Sequence, residues 1–232
     1  MRRLILWDID GTLVHTAGVG ARAIEAGATA AAALLEAPVV PMSGKTDPQI
    51  LREIFVAAEM TEDRITELLP RALSEVERAL AAAEADLRGN GRVLPGVLDA
   101  LAALRDLGGV RQSVVTGNLV ANAALKLAAF DLTAFLDVEV GAYGTDHADR
   151  NHLVPVALER SSRLRGEHYR GSEVWVIGDT ANDLACARAA RVRCLLVGTG
   201  SSGPDGVRRL DADAILPDLS DTEEVLRILT SG

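Results

Sequence analysis

Aspartates that close apolar runs are the residues of this chain best suited to chemistry. Residues 7–14 read WDIDGTLV and follow Leu4-Ile5-Leu6, so a buried-looking strand ends in Asp8 and Asp10, then Gly11 and Thr12. Residues i and i+2 of an extended segment project to the same side, so both carboxylates can face one small site. Crowded carboxylates repel, which raises a pKa or favours a cation between them. Two later stretches end in the same way: one in Thr116-Gly117-Asn118, the other in Gly178-Asp179-Thr180-Ala181-Asn182-Asp183. Asp179 and Asp183 added to Asp8 and Asp10 give an all-oxygen cluster of the kind that suits Mg²⁺. Gly11 permits a sharp turn that brings backbone N–H groups near an anion. Thr116 and Asn118 add neutral donors. Such a site would hold a phosphate and leave one carboxylate free to attack it. Each stretch also has a plainer reading, as a turn or as a helix N-cap with an acidic first turn.

What distinguishes the three stretches is the elements that carry them. Short β-rich runs cover 4–9, 112–117, 137–142, 174–179 and 194–199, with a weaker one at 214–219. Most are apolar on consecutive residues rather than alternating, as strands covered on both faces are. Helical patterns over 95–107, 119–130, 153–164 and 181–190 lie between or after them, and Ser220-x-x-Glu223 reads as a capping box for a last helix. This alternation predicts a parallel α/β sheet with right-handed crossovers. Ligands bind at the carboxyl edge of such sheets, so three polar clusters at strand ends converge on one crevice. The rhythm breaks at 17–89, where 21–37, 48–60 and 62–87 all read as helix; Pro70 is expected to break or kink the last. A helical module inserted after the first strand is the expected organisation, with RGNGR (88–92) as a hinge.

Composition narrows the classes of function. The chain has 232 residues, of which 48% are apolar, enough for a substantial core. Lys+Arg 24 against Asp+Glu 33 gives a net charge of −9, which argues against a general nucleic-acid binder. Two cysteines, Cys186 and Cys194, are too few for a disulfide framework and fit a reducing compartment. Asp8 and Asp10 interrupt the first apolar run, and no uncharged stretch reaches the ~18 residues of a membrane helix. The expectation is a cytoplasmic protein with no membrane and no nucleic-acid partner.

Taken together, DIDGTLV, VVTGN and VIGDTANDLACARAA resemble the first, second and fourth motifs of the haloacid dehalogenase-like hydrolase superfamily. The branch it looks most like contains phosphoglycolate phosphatase and β-phosphoglucomutase. The resemblance implies a Rossmann-like parallel sheet core, residues 1–16 and 90–232, and an all-α helical cap over 17–89. It implies that Asp8 is the nucleophile and Asp10 the general acid, then the base. Mg²⁺ would be held by Asp8, the backbone carbonyl of Asp10, and Asp179, with Asp183 a further ligand or an orienting residue. Gly11, Thr116, Gly117 and Asn118 would bind the phosphoryl group. The family also places a lysine or arginine at the start of the helix after the third strand. Neither Lys45 nor Lys126, the only lysines, lies there, and Arg150 is the candidate.

Lys45 lies in SGKTDPQI (43–50), where Asp47-Pro48 would start a helix. It is either a solvated turn lysine or a cap-loop residue that pairs with a second negative group on the substrate. His15 is read as a surface loop residue, and Trp7 and Trp175 as core. The implied activity is Mg²⁺-dependent hydrolysis of a small phosphorylated metabolite, phosphoglycolate-like or a sugar phosphate, by a monomer or homodimer. A phosphomutase is the alternative. A 2-haloacid dehalogenase, which needs no metal, is further off.

Overall fold

The computed structural model describes residues 2–231. Strands β1 (Arg3–Trp7), β4 (Val110–Val114), β5 (Val174–Gly178), β6 (Arg193–Val197) and β7 (Ala214–Leu216) form one sheet in the order β4-β1-β5-β6-β7. Every pairing in it is parallel. The apolar runs are consecutive because both faces are covered. Ile5 and Trp7 of β1 point into a core shared with α5 (Val97–Arg105), α6 (Val120–Ala129) and α10 (Thr222–Thr230). Leu4 and Leu6, one residue out of phase, point into the opposite core, with α7 (Leu153–Arg165) and α8 (Ala181–Ala189). The short α9 (Gly203–Val207) adds Val207 to that second core. Trp7 donates its indole N–H to Gln112 Oε1 (3.2 Å), so it is a satisfied core residue as expected.

The expected strand over 137–142 does not form. The chain there runs through turns and meets the sheet at its two ends: Asp137 N donates to the Gln112 carbonyl (2.8 Å), and Ala142 forms an isolated parallel bridge with Val115. Between those ends Val140 N and Gly141 N turn back to the Asp137 and Val138 carbonyls, so they form turns rather than a ladder, and the Asp137 carboxylate pairs with Arg111 and Arg165 (2.8 Å). The last helix also begins one residue later than expected. Asp221, not Ser220, accepts the Glu224 N–H (3.0 Å).

Between β1 and β4 the chain builds a helical lobe from α1 (Val19–Ala32), α2 (Asp47–Ala57), α3 (Glu62–Ala82) and α4 (Glu84–Asn90), with its own apolar core around Ile54, Phe55, Ile65 and Leu80. Pro70 lies inside α3 without ending it. Thr66 and Pro70 are both exposed, so the carbonyl left without a donor faces water. The two connections to the lobe pair with each other: β2 (Val14–His15) and β3 (Arg92–Val93) form an antiparallel ribbon. Of the expected hinge at 88–92, residues 88–90 close α4 and Arg92 opens this ribbon. His15 is exposed and lies 3.2 Å from Arg92 Nη1, away from the strand ends. Among the described residues no helix is long and apolar enough to cross a membrane.

Candidate active site

The strand order puts β1 between β4 and β5, so the three polar strand ends are neighbours. Asp8 follows β1, Thr116 lies two residues past β4, and Asp179 follows β5. Carboxylate oxygens of Asp8, Asp179 and Asp183 lie within 4.8 Å of one another, all buried. The loop geometry explains why these residues tolerate one another. Gly11 has φ 82°, and a Cβ there would lie 2.7 Å from Asp179 Oδ2, so only glycine admits that carboxylate. Its own N–H is used by the Val14 carbonyl (2.9 Å). Thr12 Oγ1 donates to Asp179 Oδ1 (3.2 Å).

Asp183 serves as both helix cap and site residue. Its Oδ2 accepts from Thr180 N (3.0 Å) and Thr180 Oγ1 (2.7 Å), while Thr180 Oγ1 in turn accepts from Asp183 N (3.3 Å), a reciprocal capping box at the start of α8. Its Oδ1 faces the other way and accepts from Arg150 Nη2. The two readings of this motif are thus one structure.

Arg150 is 5% exposed and reaches Asp8 Oδ1 at 3.1 Å, the Val115 carbonyl at 3.3 Å and the Gly44 carbonyl at 3.2 Å. The missing third strand does not matter for its position. Residues 150–152 form a short 3₁₀ turn, N-capped by Asp149, that delivers the guanidinium inward.

Charge explains the titration of the cluster. Burial pushes Asp8 up, with Asp183 and Asp10 adding to the effect and Arg150 opposing it; the result is about 6. Burial, then Asp183 and Asp8, push Asp179 to about 8. Burial disfavours the Arg150 charge, but Asp183 and Asp8 hold its pKa above the ordinary arginine value. With all three carboxylates ionised, one guanidinium leaves an excess of two negative charges. A small, hard dication with an oxygen-only preference matches that excess, so these residues fit Mg²⁺.

Asp10 turns its carboxylate away from the cluster. Lys126 Nζ donates to Asp10 Oδ1 (2.8 Å) and Oδ2 (2.6 Å) and to Asn118 Oδ1 (2.6 Å). Asn118 Nδ2 donates to Asp10 Oδ2 (2.8 Å) and to Thr116 Oγ1 (2.8 Å), and Thr16 Oγ1 donates to Asp10 Oδ1 (3.3 Å). Burial opposes ionisation of Asp10, yet the Lys126 ammonium and these donors hold its pKa below the usual carboxylate value. Sequence reasoning gave Lys126 no role. Within the otherwise apolar α6, Asn122 and Lys126 are four residues apart and share one face, with Asn118 just before the helix.

The helical lobe closes the site. Asp47 N donates to the Gly117 carbonyl (2.8 Å), Asp47 Oδ2 accepts from Leu119 N (2.9 Å) at the start of α6, and Thr46 Oγ1 donates to the Ala148 carbonyl (2.5 Å). A Cβ on Gly117 would sit 2.1 Å from the Lys45 carbonyl, so this glycine lets the lobe dock. Beneath the contact lies a cavity of about 210 Å³, lined by Asp8, Asp10, Thr116, Asn118, Lys126 and Arg150 on the sheet side. Lys45 lines it from the lobe side, and its ammonium is paired with Glu53.

Comparison with known proteins agrees with this geometry. The family model described as haloacid dehalogenase-like hydrolase matches residues 5–188. The chain is 32% identical to the plasmid-encoded phosphoglycolate phosphatase of Cupriavidus necator over 93% of its own length and 89% of the relative's. It is 28% identical to the phosphoglycolate phosphatase of Nitrosospira multiformis, over 97% of this chain and 96% of that one. A solved hydrolase structure from Pseudomonas syringae superposes with a TM-score of 0.72 at 18% identity, covering 100% of both chains. The chain belongs to the haloacid dehalogenase-like hydrolase family.

Proposed function

We propose that this phosphatase hydrolyses a small phosphorylated metabolite with Asp8 as nucleophile and Mg²⁺ as cofactor, through an aspartyl-phosphate intermediate. The observation that carries the proposal is the position of Asp8, between the Arg150–Asp179–Asp183 cluster and the cavity that holds Asp10 and Lys126. Asp8, Asp179, Asp183 and the Asp10 backbone carbonyl are the proposed metal ligands. When bound, the metal supplies charge neutralisation and positioning of the phosphoryl oxygens.

The chain's own residues do the rest. Arg150 holds the Asp8 carboxylate in place and adds a fixed positive charge beside the incoming phosphoryl group. Thr116, whose hydroxyl only accepts in the resting site, donates its proton to the phosphoryl oxygens, and Asn118 joins it by turning its amide from Thr116. The Asp8 carboxylate attacks phosphorus, and the leaving alkoxide takes a proton from Asp10. Asp10 rests ionised against Lys126, the form it needs as base for the water that cleaves the acyl phosphate. A phosphate dianion entering the cavity competes for the Lys126 ammonium and adds negative charge beside Asp10. Both effects raise its proton affinity for the first step. The helical lobe acts as the cap, with residues 1–16 and 90–232 as the catalytic core and 17–89 as the inserted unit.

The test is p-nitrophenyl phosphate turnover with and without Mg²⁺. Metal-dependent release of phosphate, abolished by EDTA and restored by Mg²⁺, is the expected result. Release of halide from 2-haloacids without phosphatase activity would overturn the reading.

A further inference from the structure

The lobe side of the cavity carries information about the part of the substrate that leaves. Its apolar wall is Ile24 of α1, Met42, Ile50 of α2 and Leu80 of α3, with Thr16, Ser43 and Asp47 beside it. Lys45 is the one cation this side contributes among the described residues, and it is already committed. Glu53, two turns along α2, accepts from the Lys45 ammonium, and Gln49 Nε2 donates to the other Glu53 oxygen (3.0 Å), fixing the carboxylate toward the lysine. On the sheet side Lys126 is matched by Asp10, and Arg150 by Asp8 and Asp183. A substrate with a second anionic group would therefore have to pull Lys45 from Glu53 and rest beside a carboxylate that Gln49 holds in place. An uncharged apolar group meets Ile24, Met42, Ile50 and Leu80, while Asp47, also on this side, adds a second carboxylate unfavourable to an anion. The cavity of about 210 Å³ equals the liquid volume of about seven waters, enough for a phosphoryl group and a leaving group of a few carbons.

We propose that the preferred substrate is a phosphomonoester of a short, uncharged, mostly apolar alcohol, with the Lys45–Glu53 pair selecting against a carboxylate or second phosphate on the leaving group. This rests on the phosphatase reading above and narrows it. The discriminating pair is isobutyl phosphate and 2-phosphoglycolate, whose leaving groups have similar size and branching but differ in charge. For the wild-type protein with Mg²⁺, kcat/KM for isobutyl phosphate is expected to exceed that for 2-phosphoglycolate at least tenfold. Glu53→Gln, which keeps the shape and removes the charge, is expected to lower that ratio at least fivefold by freeing Lys45. Turnover of p-nitrophenyl phosphate by the same samples reports folding and chemistry. If that ester is hydrolysed and 2-phosphoglycolate matches or outruns isobutyl phosphate, the leaving-group assignment is overturned and the phosphatase reading stands. An unchanged ratio in Glu53→Gln overturns the role of the pair. No hydrolysis of any of the three esters overturns both readings.

Discussion

At the scale of single residues, the site is a matter of which cation neutralises which carboxylate. Asp8 and Asp10 are two apart in sequence, yet one answers to Arg150 and the other to Lys126. Asp8→Asn removes the nucleophile and one of three crowded charges. Turnover of p-nitrophenyl phosphate is expected to fall below a few per cent of wild type, while the melting temperature in metal-free buffer does not drop. Lys126→Met leaves Asp10 with only Asn118 and Thr16. Its kcat is expected to fall about 100-fold, within the range for losing a well-set acid–base group, with steady-state kinetics as the measurement. A kcat within threefold of wild type would show that Asp10 needs no ammonium.

At the scale of elements, the decisive join is between the start of α2 and the loop after β4. Gly117→Ala would put a Cβ 2.1 Å from the Lys45 carbonyl and force the lobe outward. Misplacement of about 1 Å can cost 100-fold, so kcat/KM should fall by that order with the fold retained by circular dichroism. Asp47 makes the same join titratable. Burial first, against the partial relief of Lys126 and the Leu119 N–H, pushes its pKa to about 6. A carboxyl whose folded pKa lies above its unfolded value favours the folded state when protonated, so its contribution is lost as pH rises from about 4 to 6. Asp47→Asn should accordingly gain stability relative to wild type across that window, by up to about 3 kcal/mol in urea unfolding at pH 4 and pH 7. The aspartate motifs were legible because each closes a short apolar run, buried on both faces, that the local sequence marks as a strand. Lys126 was not, because its use depends on how α6 is rotated against β1. The strand expected at 137–142 did not form although Val138 and Val140 alternate, because the backbone N–H groups of Val140 and Gly141 bond locally to the carbonyls of Asp137 and Val138.

At the scale of the whole molecule, a metal should behave as a fold ligand. Asp8 and Asp179–Asp183 come from segments about 170 residues apart and share buried negative charge. A dication that binds only the folded chain stabilises it by about 2.7 kcal/mol at a hundred times its Kd. For a chain of this size that is a rise of roughly 5–10 °C in Tm, read by differential scanning fluorimetry across a Mg²⁺ titration. Asp183→Asn should lose most of the rise. A wild-type Tm indifferent to Mg²⁺ would remove the metal from the proposed mechanism.

The sequence by itself determined the doubly covered parallel sheet, the inserted helical segment and the acidic strand ends. All of these follow from short-range periodicity and from the fixed order of elements along the chain. Only the tertiary structure decided that Lys126 reaches Asp10 across 116 residues, that Glu53 holds Lys45, and that Ile24, Met42, Ile50 and Leu80 line the lobe's inner wall. Charge pairing is set by distances of a few ångströms between side chains of separately folded elements, and those distances exist only once the elements are packed.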